Sequence, residues 1–308
     1  MVRITQTELI KEAEAEERNY NWETAADLYE QVAKSFLEKD LLQDAAKIYD
    51  KLGDICQRAV YASEIKEDYL NWNEQSVKAF HKAESLFDQT NDNLLSMECK
   101  AKALAQMCFV ITSIEEARKN IKKSVDILLE LIEEYSKAND TKNYIRLSSL
   151  TVDPMMFFVF LCSNPSELEY YGQLGRSFIE KAWILLKEVD TIEFRSRLLQ
   201  GENMLMFHLN RWTEFTYGDK KQEKINKRFL KRCEETLNLA ENSDEVINDY
   251  ILGDIYSITG FIYCIFGSIF VEEKKERVKF AEKGFELLEK SVVFYKNARN
   301  IVGAINQI

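Results

Sequence analysis

One pattern of apolar residues occurs twice near the N-terminus of this chain, at an offset of 20 residues. Residues 25–36 read AADLYEQVAKSF and residues 45–56 read AAKIYDKLGDIC, so both segments begin with two alanines and carry a tyrosine four residues after the first. The shared positions follow the spacing i, i+1, i+4, i+7 and i+8, which is one stripe of an α-helix. Such units cannot bury their stripes alone and must stack, which predicts a protein built from helical repeats.

Residues that break helices are rare in this sequence, which has 2 Pro and 10 Gly among 308 residues. A β-sandwich, a barrel or a Rossmann fold of this length uses more of both residues in its turns, so these classes are disfavoured. Apolar residues make up 46% and charged residues 30%, a composition that excludes disorder. No segment alternates with the period of a strand, so we expect an all-α fold of about thirteen helices.

The predicted architecture is a right-handed α-solenoid of antiparallel helix pairs. Asn164-Pro165 indicates the beginning of one helix, because it offers a capping side chain followed by a proline at the first helical position. Both prolines of the chain, Pro154 and Pro165, lie close together. The stretch 148–164 is therefore where we expect the helical pattern to become irregular.

The first copy of the repeated stripe resembles a known helical repeat. Trp22, Ala25, Ala26 and Tyr29 match the first half of the tetratricopeptide pattern W-x2-L-G-x2-Y, with alanine in the leucine and glycine places. The later proline of that pattern is missing, and one helix with its turn takes 20 residues here. Longer helices of this kind are more similar to the soluble attachment proteins (SNAP type) of the membrane-fusion machinery. This resemblance covers residues 20–60 and implies a cytoplasmic helical-hairpin solenoid.

Two regions are predicted from the repeat and the prolines. Residues 1–150 are expected to form an N-terminal tetratricopeptide-like array of helical repeats. Residues 151–308 are expected to form a C-terminal helical lobe that continues the solenoid.

Residues with catalytic potential are few. The chain has two histidines, His81 and His208, and neither lies in a pattern typical of a metal site or of a nucleophile with its base. An all-α isoprenoid-type enzyme remains an alternative, and Asn248-Asp249 followed by Asp254 is the nearest approach to its carboxylate cluster. We expect a protein that is not an enzyme and that needs neither a cofactor nor a metal ion.

The net charge and the cysteines limit which partners and which cellular compartment we expect. Acidic residues outnumber basic ones, 52 to 41, which gives a net charge of −11. We therefore expect no binding to nucleic acid, since such binding depends on neutralising phosphates. The six cysteines form no CxxC pair, and the N-terminus has no apolar core of a signal peptide. Both features favour a cytoplasmic protein with reduced, mostly buried thiols.

Residues 220–232 are strongly basic in this acidic chain, with seven basic residues and one acidic residue. Ile225, Phe229 and Cys233 have the spacing of a buried helical stripe, which leaves the lysines on another face. That face is either an anion-binding surface or a solvated helix face paired with acidic neighbours. The predicted partner-binding residues are Lys220, Lys224, Lys227, Arg228 and Lys231. The expected partner is an acidic helix or peptide, with peripheral contact to an anionic membrane as a further candidate.

Two apolar segments have both a structural and a functional interpretation. Residues 255–271 contain no charge, and Gly253, Gly260 and Gly267 recur every seven residues, which predicts a smooth seam for a packed neighbour. We interpret this segment as a buried core helix, with membrane insertion as the alternative. The second segment, residues 155–162, is interpreted as a short buried helix or as an exposed contact for lipid or a partner.

These observations together predict a non-catalytic scaffold or adaptor that binds a peptide or helical partner on a curved surface of helical repeats. The first alternative is a membrane-trafficking adaptor that resembles the attachment proteins. The second is the isoprenoid-type enzyme.

Overall fold

The computed structural model describes residues 6–161, 165–210 and 220–305. Thirteen α-helices and no strand occur in these ranges, which confirms the predicted all-α fold of packed helices. The helices are α1 (Gln6–Arg18), α2 (Trp22–Leu37), α3 (Leu42–Ala62), α4 (Lys66–Gln89), α5 (Asn93–Gln106), α6 (Ile114–Lys137), α7 (Thr141–Leu161), α8 (Pro165–Leu185), α9 (Ile192–Asn210), α10 (Lys220–Glu241), α11 (Asp249–Phe270), α12 (Lys274–Asn297) and α13 (Ile301–Ile305).

Two compact units divide the chain. The first comprises Met1–Glu134 with Arg299–Ile301, and the second comprises Tyr135–Ala298 with Val302–Ile308. In the first unit each helix from α1 to α5 packs against the next one in the chain, and the second unit shows the same order from α7 to α12. This arrangement is a helical repeat-like fold. The boundary predicted after residue 150 falls inside α7.

The repeated stripe lies in the interior of the first unit. Ala25, Ala45 and Ala46 are fully buried, and the two tyrosines of the pattern are nearly so. The small residue at Gly53 is needed because the ring of Phe80 on α4 occupies the space that a side chain would fill. The stripe therefore acts as predicted, with small residues at the points where neighbouring helices approach.

One turn geometry recurs between the helices. In the described ranges, five residues other than glycine have a left-handed backbone, with φ between 53° and 59°: Tyr20, Asp40, Asn91, Asn139 and Arg299. At Asp40 the next amide, that of Leu41, donates to the carbonyl of Phe36 at 3.0 Å. This bond is the mark of a Schellman motif, which ends one helix and allows the next to start almost at once. The short connections hold consecutive helices side by side.

A second repeat relates helices α3 and α4 to helices α5 and α6. The hydroxyl of Ser76 donates to the carbonyl of Gly53 at 3.0 Å, and the hydroxyl of Ser124 donates to the carbonyl of Ala101 at 2.7 Å. Each serine follows its acceptor by 23 residues. The same contact thus joins both helix pairs, at a small residue where a buried polar side chain fits against the backbone.

Helix α7 continues through Pro154, which differs from the expected irregular stretch. The hydroxyls of Ser148 and Thr151 donate to carbonyls one turn earlier in the same helix, at 2.7 Å each. A proline removes one backbone bond but keeps a φ that a helix accepts, so packing on both sides retains the helix. Met155 and Met156 after it are buried and Phe157 is 37% exposed, so this segment is the partly buried end of α7 and not a separate short helix. Cys162 lies outside the described residues.

Glycines of α11 form the predicted seam against α12. A Cβ atom on Gly253 would lie 2.7 Å from the ring of Tyr295, and one on Gly260 would lie 2.8 Å from the carbonyl oxygen of Gly284. By length and composition the stretch Asp249–Gly267 could cross a membrane, yet 61% of it is buried within the protein. The seam and this burial favour a core helix packed against α12.

The repeat assignment predicts opposite effects at two adjacent positions. Ala46 is fully buried and Lys47 is exposed, so Ala46→Leu should overpack the contact and lower the free energy of unfolding by about 1–3 kcal/mol. Lys47→Leu should change it little. Urea unfolding of both variants measures the difference, and equal losses would contradict the assignment.

Candidate partner-binding surface on helix α10

Helix α10 contains the basic segment, and its apolar stripe is buried in the second unit. Phe229 and Cys233 are fully buried, as predicted, and Ile225 is partly buried. Asn226 on the same side is also buried. Helix α10 packs against α9 and α11 through this side. The stripe fixes which faces of the helix the charged residues occupy.

The arginines of α10 turn toward helices α8 and α9. Arg228 pairs with Glu180 on α8 at 2.5 Å. Arg232 donates to both carboxylate oxygens of Glu202 on α9, at 2.8 and 2.9 Å, and to Glu180 at 3.1 and 3.2 Å. The ring of Trp183 lies 4.8 Å from the Arg232 guanidinium, within the range of a cation–π contact. Arg228, although 48% exposed, is therefore paired with another helix, a difference from the lysines that the sequence did not reveal.

These four charged groups, Glu180, Glu202, Arg228 and Arg232, are named here the four-charge cluster. Burial raises the pKa of Glu202 to about 7, against the opposite effect of Arg232. Burial also raises the pKa of the neighbouring Cys233 thiol well above its ordinary value. The cluster is balanced in charge when both carboxyl groups are ionised.

The lysines of α10 lie on the solvent-facing side, opposite the buried stripe and next to Arg228. Lys224, Lys227 and Lys231 are exposed and are named here the lysine row. Lys227 pairs with Glu223 at 2.5 Å and Lys231 with Glu235 at 3.7 Å, both within the same helix. Exposed pairs of this kind contribute little to stability, so a partner can replace them. Lys220 begins the helix, and its side chain lies outside the described part of the structure.

Like charges lie close together along the lysine row. Its members are separated by three and four residues, the spacing at which side chains of one helix face are neighbours. Their repulsion is only partly relieved by the two glutamates of the same face. A bound anionic group would offset the remaining repulsion between the lysines, so this surface is suited to bind an anion.

A second buried charge cluster joins α3 and α5 in the first unit. The amine of Lys102 lies 2.8 Å from Asp50, 3.5 Å from Asp54 and 3.6 Å from Glu98, and its side chain is 9% exposed. Burial opposes the charge of Lys102, but the three carboxylates together raise its pKa. Burial also raises the pKa of Asp50. Sequence analysis missed this cluster because its lysine lies about 50 positions from two of its partners.

Reactive groups are sparse in the parts of the chain that the structure describes. No three His, Cys, Asp or Glu side chains meet there in a way that could hold a metal ion. The five described cysteines are free thiols, and burial raises the pKa of Cys56 and of Cys108 to about 12. Such thiols are poor nucleophiles near neutral pH.

Comparisons with known proteins give limited similarity. The chain matches no protein-family model, and no curated protein sequence matches it. Among solved structures it is similar to a "Circular tandem repeat protein with novel repeat topology and enhanced subunit contact surfaces", with a TM-score of 0.32 and 11% sequence identity. The alignment covers 98% of this chain and 76% of the other. The assignment of an all-helical, repeat-like fold therefore depends on the packing described above.

Proposed function

We propose that this protein is a non-catalytic scaffold that binds an acidic helix or peptide of a partner protein through the lysine row of α10. The observation that carries the proposal is the division of the basic residues between two faces. Arg232 is largely buried and Arg228 is 48% exposed, yet both pair with carboxylates of other helices. Lys224, Lys227 and Lys231 are exposed, and the described ion pairs of the last two lie within α10 itself. The solvent-facing side of α10 is thereby basic in a protein of net charge −11.

The charge of the rest of the chain favours a short acidic segment over an extended anionic surface. Residues 220–232 carry a net charge of +6, so the remaining residues carry −17. A membrane or a nucleic acid would also meet these acidic regions and be repelled by them. A single helix or peptide covers only the local face, within the Debye length of about 8 Å at physiological ionic strength.

The resemblance of residues 20–60 to tetratricopeptide repeats and to attachment proteins agrees with a scaffold role. A membrane-trafficking adaptor would use the same basic face and is the second candidate. The isoprenoid alternative is less well supported, because Asp254 accepts hydrogen bonds from Tyr295, at 2.8 Å, and from Gln200.

Reversing the charge of the basic face should abolish binding. The test variant changes Lys220, Lys224, Lys227 and Lys231 to Glu, and the probe is a fluorescent, glutamate-rich helical peptide measured by anisotropy in low salt. We expect at least a tenfold loss of affinity with helicity unchanged, because the attraction becomes repulsion.

The control changes four exposed lysines of α6 to Glu, which gives the same net charge. These lysines are Lys119, Lys122, Lys123 and Lys137. An equal loss in both variants would mean that only net charge matters. Binding of the unchanged protein to phosphatidylserine vesicles but not to the peptide would favour the trafficking adaptor instead.

A further inference from the structure

The four-charge cluster fastens α10 to two other helices. Arg232 bridges the carboxylates of Glu180 on α8 and Glu202 on α9, and only 14% of its side chain and 8% of that of Glu202 are exposed. Helix α11 also holds α10, because two of its tyrosines donate hydrogen bonds to Glu234 and Glu241 of α10. Any change in the charge of a cluster member therefore acts directly on how firmly α10 is held.

Glu202 is the member whose charge responds to its surroundings. From α10 it faces Arg232, with Arg228 and the Cys233 thiol nearby, and from α8 it faces Glu180. Glu180 and Arg228 are more exposed, at 34% and 48%, and the buried guanidinium of Arg232 keeps its charge at any ordinary pH. The pKa of the Glu202 carboxyl group depends on its burial, so exposing it to water changes its protonation near neutral pH.

Among the described residues, the other helices that pack against α9 place no further charge against Glu202. Helix α7 meets this part of α9 through Val152, beside Gly201, and through Ser149, whose hydroxyl donates to a backbone carbonyl of α9. Helix α11 presents Asp254, which is bonded to Gln200 and Tyr295 instead. The ionisation of the Glu202 carboxyl group is thus controlled by its burial and by the charged residues of α8 and α10.

We propose that Glu202 is a pH-sensitive contact that controls the docking of helix α10 on helices α8 and α9. Release of α10 would also separate Arg228 and Arg232 from their carboxylates. Their charges would then add to those of the lysine row, so the protonation of Glu202 would regulate binding at that row. The inference goes beyond the proposed binding role, because docking is measurable with no partner present.

The direction of the effect follows from linkage. Docking buries Glu202 and raises its pKa from 4.5 to about 7, and release of α10 returns the carboxyl to water and to its ordinary pKa. The docked form therefore binds the proton more tightly. Docking is strongest in acid and weakens as the pH rises through 7, by about tenfold between pH 6 and pH 8.

Hydrogen exchange measured by mass spectrometry tests this proposal on the unliganded full chain. In the unchanged protein, protection of amides in residues 223–241 should fall about tenfold from pH 6 to pH 8, after correction for intrinsic exchange. Amides of α2 provide the internal reference. Glu202→Gln should remove the pH dependence. Glu193→Gln should keep it, because Glu193 is an exposed residue of the same helix that pairs only with Arg197 in the described contacts.

Two results would overturn the proposal. One is protection of α10 in the unchanged protein that does not vary with pH, and the other is a pH dependence that survives in Glu202→Gln. If that variant does not fold, carbon NMR of the unchanged protein decides, since a Glu202 carboxyl that titrates near 4.5 contradicts the proposal and one that titrates near 7 supports it.

Discussion

Replacing Gly284 by alanine in α12 should lower the free energy of unfolding by about 3 kcal/mol. The added methyl group would collide with the sulfur of Cys264 and would lie 2.8 Å from the carbonyl oxygen of Gly260. It would also lie 3.1 Å from the amide nitrogen of Cys264. Backbone atoms of α11 cannot yield without separating the two helices. The loss exceeds the roughly 1 kcal/mol that alanine contributes to a helix relative to glycine.

Gly201→Ala in α9 is the matched control. A Cβ atom there would lie 3.1 Å from Cδ1 of Ile179, which is the end of a flexible side chain. The free energy of unfolding should change by no more than about 1 kcal/mol in either direction. Urea unfolding of both variants gives the comparison, and equal stabilities would show that α11 and α12 do not approach as closely as described.

Lys102→Met should lower the free energy of unfolding by about 3 kcal/mol at pH 7.5, because it leaves the buried Glu98 and the partly buried Asp50 without the cation that compensates them. The loss should shrink as the pH falls. Burial raises the pKa of Asp50, and without the lysine no described residue of opposite charge counteracts this, so the folded variant takes up a proton and gains stability in acid. Urea unfolding at pH 5 and pH 7.5 measures this dependence.

The control for Lys102 lies two residues away on the same helix. Lys100 is 53% exposed and is 3.7 Å from Glu84. Lys100→Met should therefore change stability little at either pH. A loss for Lys102→Met that does not depend on pH would mean that the three carboxylates do not depend on this lysine.

Sequence alone predicts the features that repeat with helical spacing. The stripe around Ala45 and Ala46 and the seam of Gly253 and Gly260 each concern one face of one helix, so their period reveals what they contact. The helix start at Pro165 is predicted equally well, because capping depends on adjacent residues.

Features that depend on distant residues or on single backbone angles could not be predicted. Glu180, Glu202 and Arg232 come together from three helices, and no local spacing links them. Because of this pairing, the arginines of the basic segment contact α8 and α9 while its described lysines face solvent. The sequence suggests a single basic surface instead. The left-handed backbone angle at Asp40 could not be predicted for another reason, since glycine is the usual residue at that position.

The packing of each helix against the next has a consequence for how the chain folds. Contacts between consecutive helices close only short loops, so the entropy lost before a contact forms is small. A low contact order of this kind is typical of fast folding, and a pair such as α2 and α3 can start the process. During synthesis, each of the helices α2–α5 and α8–α12 would emerge after the helix before it, against which it packs.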